Sequence, residues 1–567
     1  MNTNMILSAS GWRKVFAISG QEQDKTAMIG EDNIAISIFA SKVFADYIKE
    51  KTGKATPEVI LGMDARPTGN AICEACIKTF ISQNITVHFT GITAAPEIMA
   101  FAKKYDGFMY ISASHNPVGH NGIKFGLNDG GVLNGKENAV LTEKFKELCN
   151  AENAKENAFS LIQNIEEAKI AAVYRAQKEY KEESLKAYSD FVKLTITAKE
   201  DKNEQKAILS ELTEECKKNK ISVVCDMNGS ARSAGIDRKF FEEQGIGFYA
   251  IHEKPGEIAH EIIPEAENLI YLAAEMEKLH KEGHEDVVLG YMPDCDGDRG
   301  NIVYWDEKQK KAVILKAQEV FSLSVLAELL YQTKTGEKNK AVCVNCPTSM
   351  RIEEIAARFD AKVFRAEVGE ANVVNLAREK RQEGYSVRIL GEGSNGGTIT
   401  YPSAVRDPLN TVFAIIKLLL SEKKSLTEIL SALPEYTTTG VSEPRAVLKI
   451  KTTDHAELKR KFQKIFEEQW KEEKTFLENY GIFSWECRIT QGTKETLNIT
   501  DFSKSGKGGL KIVFFSKGKS PDSFIWMRGS GTEPVFRIMC DVKGSKAEKE
   551  KALLAWETEM LLKADEE

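Results

Sequence analysis

Short apolar runs recur along the chain, each closed by a polar or glycine-rich turn, and between them lie longer stretches with apolar residues at helical spacing. Val59-Ile60-Leu61-Gly62-Met63 reads as a strand, Asp64-Ala65-Arg66-Pro67-Thr68-Gly69 as a turn, and a helix is predicted from there to about Ser82. Residues 85–89 form the next predicted strand, Ala95-Pro96-Glu97 opens another helix, and Phe108-Met109-Tyr110-Ile111 is a third, buried strand. The same criteria make strands of 222–226, 286–292, 341–344, 363–364, 386–390 and 523–527. They make helices of 265–274, 349–359 and 455–480, of a segment capped by Asp407 with Pro408 at its first position, and of a last one from about Ala547. Strand and helix alternate, which implies an α/β protein with largely parallel sheets and helical crossovers. From about Leu141 to Lys186 the composition shifts to Glu, Lys, Ala and Asn, and this stretch reads as a solvated helical link between two domains, without chemistry.

Composition narrows the picture. A chain of 567 residues is too long for one core, and 42% hydrophobic with 28% charged residues describes several ordinary globular domains. Divisions are read at 1–187, 188–306, 307–433 and 434–567. A net charge of -7 and the lack of a long Lys/Arg block argue against nucleic acid as a partner. The first residues show no basic segment followed by an apolar core, and the longest apolar segment, Val412 to Leu420, contains Lys417 and is too short for a bilayer. The expectation is a cytoplasmic protein with no membrane partner. Ten scattered cysteines fit reduced thiols, and the pairs Cys73/Cys76 and Cys343/Cys346 lack the histidine spacing of a zinc site.

Candidate chemistry gathers in four loops, each after an apolar run and so at the carboxyl end of a strand, where open α/β sheets carry their ligands. Ser112-Ala113-Ser114-His115-Asn116-Pro117, with Lys124 a little further on, supplies hydroxyls, an imidazole and an amine, the material for phosphoryl or acyl chemistry on a serine. Asp294-Cys295-Asp296-Gly297-Asp298-Arg299 offers three alternate carboxylates to a hard cation, with magnesium the default. It is not an EF-hand, whose sixth and twelfth positions would here be Arg299 and Trp305. Gly391-Glu392-Gly393-Ser394-Asn395-Gly396-Gly397 lacks a P-loop frame but suits hydrogen bonding to vicinal sugar hydroxyls. Arg528-Gly529-Ser530-Gly531-Thr532-Glu533-Pro534, followed by Arg537, combines arginine forks, hydroxyls and backbone N–H groups able to hold a phosphate. An early arginine, Arg13, and Arg66 are further candidate phosphate ligands. Together the loops describe phosphoryl transfer on a phosphosugar.

These four motifs, in this order, resemble those of the α-D-phosphohexomutases, the phosphoglucomutase and phosphomannomutase superfamily. The resemblance implies three similar α/β domains and a smaller C-terminal α+β domain around a central cleft. It implies reversible transfer of phosphate between C1 and C6 of a hexose phosphate, glucose or mannose, through a phosphoserine and a hexose 1,6-bisphosphate that is both intermediate and activator. Residue chemistry alone leaves Ser112 and Ser114 equal; the resemblance selects Ser114, with Mg2+ held by Ser114, Asp294, Asp296 and Asp298. By the same resemblance, His115 and Lys124 are candidates for proton transfer, and Arg13 and Arg66 help to hold the transferred group. Glu392 and Ser394 read the sugar ring, and Arg528, Ser530, Gly531, Thr532 and Arg537 hold the phosphate that is not reacting. Trp12, Lys14, Cys295 and the glycine-rich stretch after Glu392 depart from common family patterns and leave the sugar open. A phosphoglucosamine mutase, or a magnesium-dependent sugar phosphatase, is the alternative.

Overall fold

A computed structural model of the chain describes residues 3–394, 396–440, 443–529 and 535–567. It divides into two units, Met1–Lys316 with Ile399–Thr427, and Ala317–Thr398 with Glu428–Glu567.

In the first unit, β1 (Ile6–Ser8), β2 (Gly11–Val15), β3 (Glu58–Met63), β4 (Thr86–Ile92), β5 (Gly107–Ile111) and β6 (His120–Leu127) form one sheet in the order β1-β2-β6-β5-β3-β4. β4, β3 and β5 run parallel, while β6, β2 and β1 continue the sheet antiparallel. β3 and β5 read as unbroken apolar runs because both of their faces are covered. Val59, Leu61, Met109 and Ile111 join a core with Phe39 and Phe44 of the helix Gly30–Thr52, whereas Ile60, Phe108 and Tyr110 join a second core with Ile98 and Phe101 of the helix Ala95–Ala102. Trp12 belongs to the first of these cores, donating Nε1–H to Asn138 Oδ1 at 2.9 Å and meeting Phe125 edge-on at 4.8 Å. Its departure from the family pattern is therefore a matter of packing.

A second sheet comprises β7 (Ser222–Asp226), β8 (Gly247–Ile251), β9 (Val287–Pro293), β10 (Gly300–Asp306) and β11 (Lys311–Ile314), in the order β11-β10-β9-β7-β8. It too is parallel at its centre and closed by an antiparallel hairpin. That hairpin carries the sheet to Ile314, past residue 306, because the Asp306 carboxylate accepts the N–H groups of Lys308 and Gln309 at 2.8 and 2.9 Å and turns the chain back.

The helix Glu167–Thr197 is more than a solvated link, and residue 187 lies inside it. Tyr174 packs edge-on against Phe89 at 5.7 Å, Tyr180 lies 4.4 Å from the His88 ring, and Lys181 and Ser184 both donate to buried Glu97, at 2.7 and 2.5 Å. Its buried residues, Ser184, Tyr188, Val192, Thr195, Ile196 and Thr197, are mostly polar and lie in its second half, so no apolar period marks its first half in the sequence.

In the second unit, β12 (Lys340–Asn345), β13 (Lys362–Ala366) and β14 (Ser386–Gly391) run parallel with β12 between the other two. Val342, Val344 and Ile389 pack there against Phe321, Val325 and Leu329 of the helix Ala317–Lys334. The chain then contributes β15 (Ile399–Thr400) and the helix Pro408–Glu422 to the first unit. Asp407 caps that helix as predicted, its carboxylate accepting Leu409 N–H at 2.9 Å.

The C-terminal part is an antiparallel sheet of β16 (Tyr436–Thr438), β17 (Val447–Lys449), β18 (Ser484–Gln491), β19 (Lys494–Thr496), β20 (Gly509–Phe515), β21 (Pro521–Gly529) and β22 (Val535–Lys543). Phe462 and Phe466 of the helix His455–Glu472 and Trp556 of the helix Ala547–Glu566 share one core with Ile512, Phe514, Ile525 and Phe536 of the sheet. The helix predicted over 455–480 is interrupted at Glu473. Among the described residues no helix is long and apolar enough to cross a membrane.

Glu557, on the last helix, is fully buried and neither carboxylate oxygen has a hydrogen-bond partner within the protein. Burial pushes its carboxyl well above the usual range, so the folded protein holds this proton to a higher pH than the unfolded chain does. Stability on this account is greatest below the unfolded carboxyl pKa and falls as pH rises toward the folded one. Glu557→Met is expected to raise the urea midpoint, by about 1–3 kcal/mol of stability at pH 8 and by less at pH 5. An identical gain at both pH values would show that burial does not hold the acid neutral.

Candidate active site

The loop after β5 is shaped by Arg66. Its guanidinium donates to the Ser114 carbonyl at 2.7 Å and the Asn116 carbonyl at 2.5 Å, and is itself paired with the buried Asp64 carboxylate. Burial of Arg66 works against its charge, but the Asp64 carboxylate outweighs it and holds the guanidinium firmly protonated. This grip keeps Ser114 at a φ of 55°, a left-handed conformation costly for a residue with a Cβ. The strained turn sets two hydroxyls on two acids. Ser114 Oγ donates to Asp294 Oδ2 at 3.0 Å, and Ser112 Oγ donates to Asp296 Oδ2 at 3.0 Å while accepting Ser114 N–H at 2.8 Å. Both serines thus face the same acidic loop, each occupied with a different carboxylate.

That loop follows β9. Oxygens of Asp294, Asp296 and Asp298 lie within 4.8 Å of one another, and all three residues are buried. Gly297, at a φ of 71°, passes so close to Arg232 that a Cβ would stand 2.4 Å from Arg232 Cγ. Arg232, wholly buried, donates to Asp237 at 2.7 and 2.8 Å, to Asp407 at 3.2 Å and to the Gly297 carbonyl at 3.2 Å. Ala95 N–H and Ala231 N–H hold the carbonyls of Asp296 and Cys295 at 2.8 and 2.9 Å. Cys295 itself sits among Ala65, Val118 and Ile262.

Three carboxylates in one low-dielectric pocket cannot all ionise freely. Burial, then the charges of Asp296 and Asp298, push Asp294 well above the usual carboxylate range. Burial would raise Asp296 as well, but Lys124, 2.7 Å from its Oδ2, together with Arg66 and Ser112 holds it below that range. Asp298 is met by Arg406 at 3.1 and 3.2 Å. Asp296 Oδ1 is buried without a partner in the protein. An all-oxygen donor set with an orphaned carboxylate oxygen fits a hard divalent cation such as magnesium.

Around the acids stand Arg13 on β2, Lys124 on β6, Arg66, Arg299 and Arg406. Arg13 donates to the Ser10 carbonyl at 3.1 Å and keeps its Nε buried without a hydrogen-bond partner, and Arg299 Nε, likewise without a hydrogen bond, lies 4.0 Å from Asp294 Oδ2. Burial alone would discharge Lys124, but the charges of Asp296 and Asp298 restore it. His115 is held well below its ordinary value by Arg299, by burial and by Arg13 and Arg406, so its imidazole is neutral. Sequence reasoning finds Ser114, His115, Lys124, Arg13, Arg66 and the three aspartates, and the structure brings them into one basin. It misses Arg406 and Arg232. Arg406 lies 108 positions from its partner Asp298, beyond the reach of any local signal.

In the second unit, Glu392 follows β14 and its Oε1 accepts Asn345 Nδ2–H at 3.1 Å and Gly369 N–H at 2.8 Å. Gly393 N–H donates to Thr348 Oγ1 at 3.0 Å, and Ser394 is half-buried. On β21 and β22, Arg528 and Arg537 stand directly opposite each other in register. Like charges so placed repel, and Glu367, 3.7 Å from Arg528, offsets part of that charge. Close by, burial and then the charge of Arg528 push the Lys459 ammonium down to about 7. Ser530, Gly531 and Thr532 lie outside the described residues.

Comparison with known proteins agrees with these motifs. The phosphoglucomutase/phosphomannomutase alpha/beta/alpha domain I family matches residues 20–152, and the domain III family of the same name matches residues 321–436. A phosphoglucomutase/phosphomannomutase of Thermococcus kodakarensis is 26% identical over 525 residues, which cover 90% of this chain and 92% of that protein. A phosphoglucosamine mutase of Methanococcus vannielii is 24% identical over 383 residues, covering 67% of this chain and 73% of its own. The fold is that of a solved phosphoglucomutase/phosphomannomutase family protein of Burkholderia thailandensis, with a TM-score of 0.62 at 16% identity over 99% of this chain and 96% of the other. The chain belongs to the α-D-phosphohexomutase superfamily, a family of mutase enzymes.

Arg232→Met removes the positive charge shared by buried Asp237 and Asp407 and frees the space that shapes the loop at Gly297. The expected cost is about 3–5 kcal/mol, read as a lowered urea midpoint for the first unit. An unchanged midpoint would mean that the two acids are compensated elsewhere.

Proposed function

We propose that the protein moves phosphate reversibly between C1 and C6 of glucose or mannose phosphate, through phosphorylated Ser114 and a hexose 1,6-bisphosphate. The observation that carries this reading is the Ser114 hydroxyl, 3.0 Å from Asp294 in a buried basin of three carboxylates ringed by arginines and a lysine. Asp294, Asp296 and Asp298 would hold Mg2+, completed by the phosphate on Ser114. When bound there, the ion would offset negative charge on the phosphoryl group in its loose transition state.

The chain's own groups supply the rest. The P–O bond to Ser114 breaks as a sugar hydroxyl oxygen bonds to phosphorus; the hydroxyl proton leaves to a base, and the departing Ser114 oxygen takes up one proton to become the serine hydroxyl again. His115, a neutral imidazole beside the loop, suits that role better than Lys124, whose ammonium is tied to Asp296. Arg13 and Arg66 supply positive charge to the group in transit. Glu392, oriented by Asn345 and Gly369, reads ring hydroxyls with Ser394. Arg528 and Arg537, with Ser530, Gly531 and Thr532, hold the phosphate that is not reacting, which relieves the repulsion of the arginine pair. The proposal includes four domains, read at 1–187, 188–306, 307–433 and 434–567, with β11 extending the second sheet past residue 306 to Ile314. A phosphoglucosamine mutase is the second reading, favoured by relatives of that name.

The test is a coupled assay with glucose, mannose and glucosamine 1-phosphates, Mg2+ and a trace of the matching 1,6-bisphosphate. Turnover is expected with glucose or mannose, is abolished by chelating the metal, and falls about a thousandfold or more in Ser114→Ala. Intact-mass analysis should find one phosphoryl group that this variant lacks. Turnover confined to glucosamine phosphate selects the second reading. Phosphate release matching sugar-phosphate consumption identifies a phosphatase, and no turnover on any hexose phosphate overturns the proposal.

A further inference from the structure

Away from the aspartate loop, the first unit carries a second group of metal-ligating side chains, at the ends of two neighbouring parallel strands. Asp226 is the last residue of β7, His252 follows β8, and His260 lies on the segment leading to the helix Ala266–Lys281. Asp226 Oδ1 is 2.9 Å from His252 Nδ1, and Asp226 Oδ2 is 2.9 Å from His260 Nε2. One donor atom from each of the three lies within 4.8 Å of the other two.

The protons are informative. His260 Nδ1 faces the Glu261 carbonyl oxygen at 3.0 Å. A carbonyl only accepts, so Nδ1 carries the hydrogen. In the neutral ring Nε2 is then a lone pair, aimed at a carboxylate oxygen. The facing Nε2 and carboxylate oxygen are reconciled by a positive charge, either a second ring proton or a metal ion held between them. A histidine that donates one ring N–H to a backbone carbonyl and turns the other nitrogen toward a carboxylate is arranged as metal-bound histidines are. Stacking on Tyr271 at 4.4 Å fixes the ring. His252 is held at a φ of 52°, in the left-handed region, and its side chain is 35% exposed, which leaves the cluster open to solvent on one side.

We propose that Asp226, His252 and His260 bind a divalent ion of the zinc class. Two imidazoles and one carboxylate make a three-ligand set with a fourth position open to water, suited to Zn2+ or Co2+ and poor for Mg2+, which prefers oxygen. Bonds of about 2.1 Å set tetrahedral donors roughly 3.4 Å apart, so the two 2.9 Å carboxylate–imidazole separations widen by about half an ångström to admit the ion. The ion ties the 252–262 segment to β7. Asn228 already pins the same segment, its Oδ1 accepting the N–H groups of Ala259 and His260 at 2.9 and 3.1 Å. Ile262 then packs with Ala65 and Val118, next to the turn that carries Arg66. Binding therefore stiffens the support of the Ser114 loop without entering it.

The probe is Co2+ added to the full chain in excess Mg2+, followed by visible absorption, with Zn2+ displacing it. Zinc-edge X-ray absorption on the unmodified protein reports the ligands directly. The expected result is a tetrahedral cobalt spectrum, an absorption signature of two imidazoles, a raised unfolding temperature with Zn2+, and affinity lowered about tenfold or more in His252→Ala and in His260→Gln. Asp296→Asn should retain the binding. Oxygen-only ligation, binding unchanged in both histidine variants, binding lost only in Asp296→Asn, or no cobalt spectrum at all would each overturn the assignment. None of these outcomes bears on mutase turnover, so this inference and the proposed function stand or fall separately.

Discussion

Three aspartates at the end of β9 are buried together, and the first unit is built around the charge this creates. In a low-dielectric interior each ionised carboxylate costs several kcal/mol unless opposite charge or hydrogen bonds are delivered to it. Lys124 comes from β6 and Arg406 from the approach to the helix Pro408–Glu422, while Ser112 and Ser114 come from the loop after β5. Compensation is incomplete. Asp294 is pushed up by burial and then by its neighbours while Asp296 is held down by Lys124, and Asp296 Oδ1 remains without a hydrogen-bond partner. A divalent cation is the species that would complete the arrangement.

The supporting structure is shaped by the same demand. Arg232 braces the acidic loop from behind and is neutralised in turn by Asp237 and Asp407, with Tyr188 hydrogen-bonded to Asp407 at 2.7 Å. Asp407 is at once a helix cap and a counter-charge, and Tyr188 anchors the long helix Glu167–Thr197 to it. In the second unit the imbalance has the opposite sign. Arg528 and Arg537 face each other across two strands, and burial beside Arg528 weakens the charge of Lys459. One unit gathers buried acids, and the other sets two arginines side by side, with Glu367 3.7 Å from Arg528.

The Asp226 cluster shows how donor type separates two metal chemistries on one sheet. The strand end at Asp294 offers oxygens alone, and magnesium suits it; the strand ends at Asp226 and His252 add two nitrogens, which favour a softer ion. Both lie where parallel strands end, because there the backbone leaves the ladder and side chains can converge.

The strands and the loops that close them are legible in the amino-acid order, because an apolar run covered on both faces and a turn rich in glycine, serine or aspartate are local patterns. That is why 59–63, 108–111 and 386–390 are readable, and why Ser114, Asp294 to Asp298 and Glu392 stand out as loop residues. The family motifs extend this to roles. What depends on folding could not be read. Arg406 meets Asp298 only because the chain returns to the first unit at Ile399. Trp12 is core and the helix Glu167–Thr197 is partly buried through groups far away in the chain, Asn138 and Phe125 for the first and Phe89, His88 and Glu97 for the second. The sequence by itself determined which groups could do chemistry and at which strand ends they lie. Only the tertiary structure decided which of them neutralise one another, because Coulomb and hydrogen-bond energies depend on distances that folding alone creates.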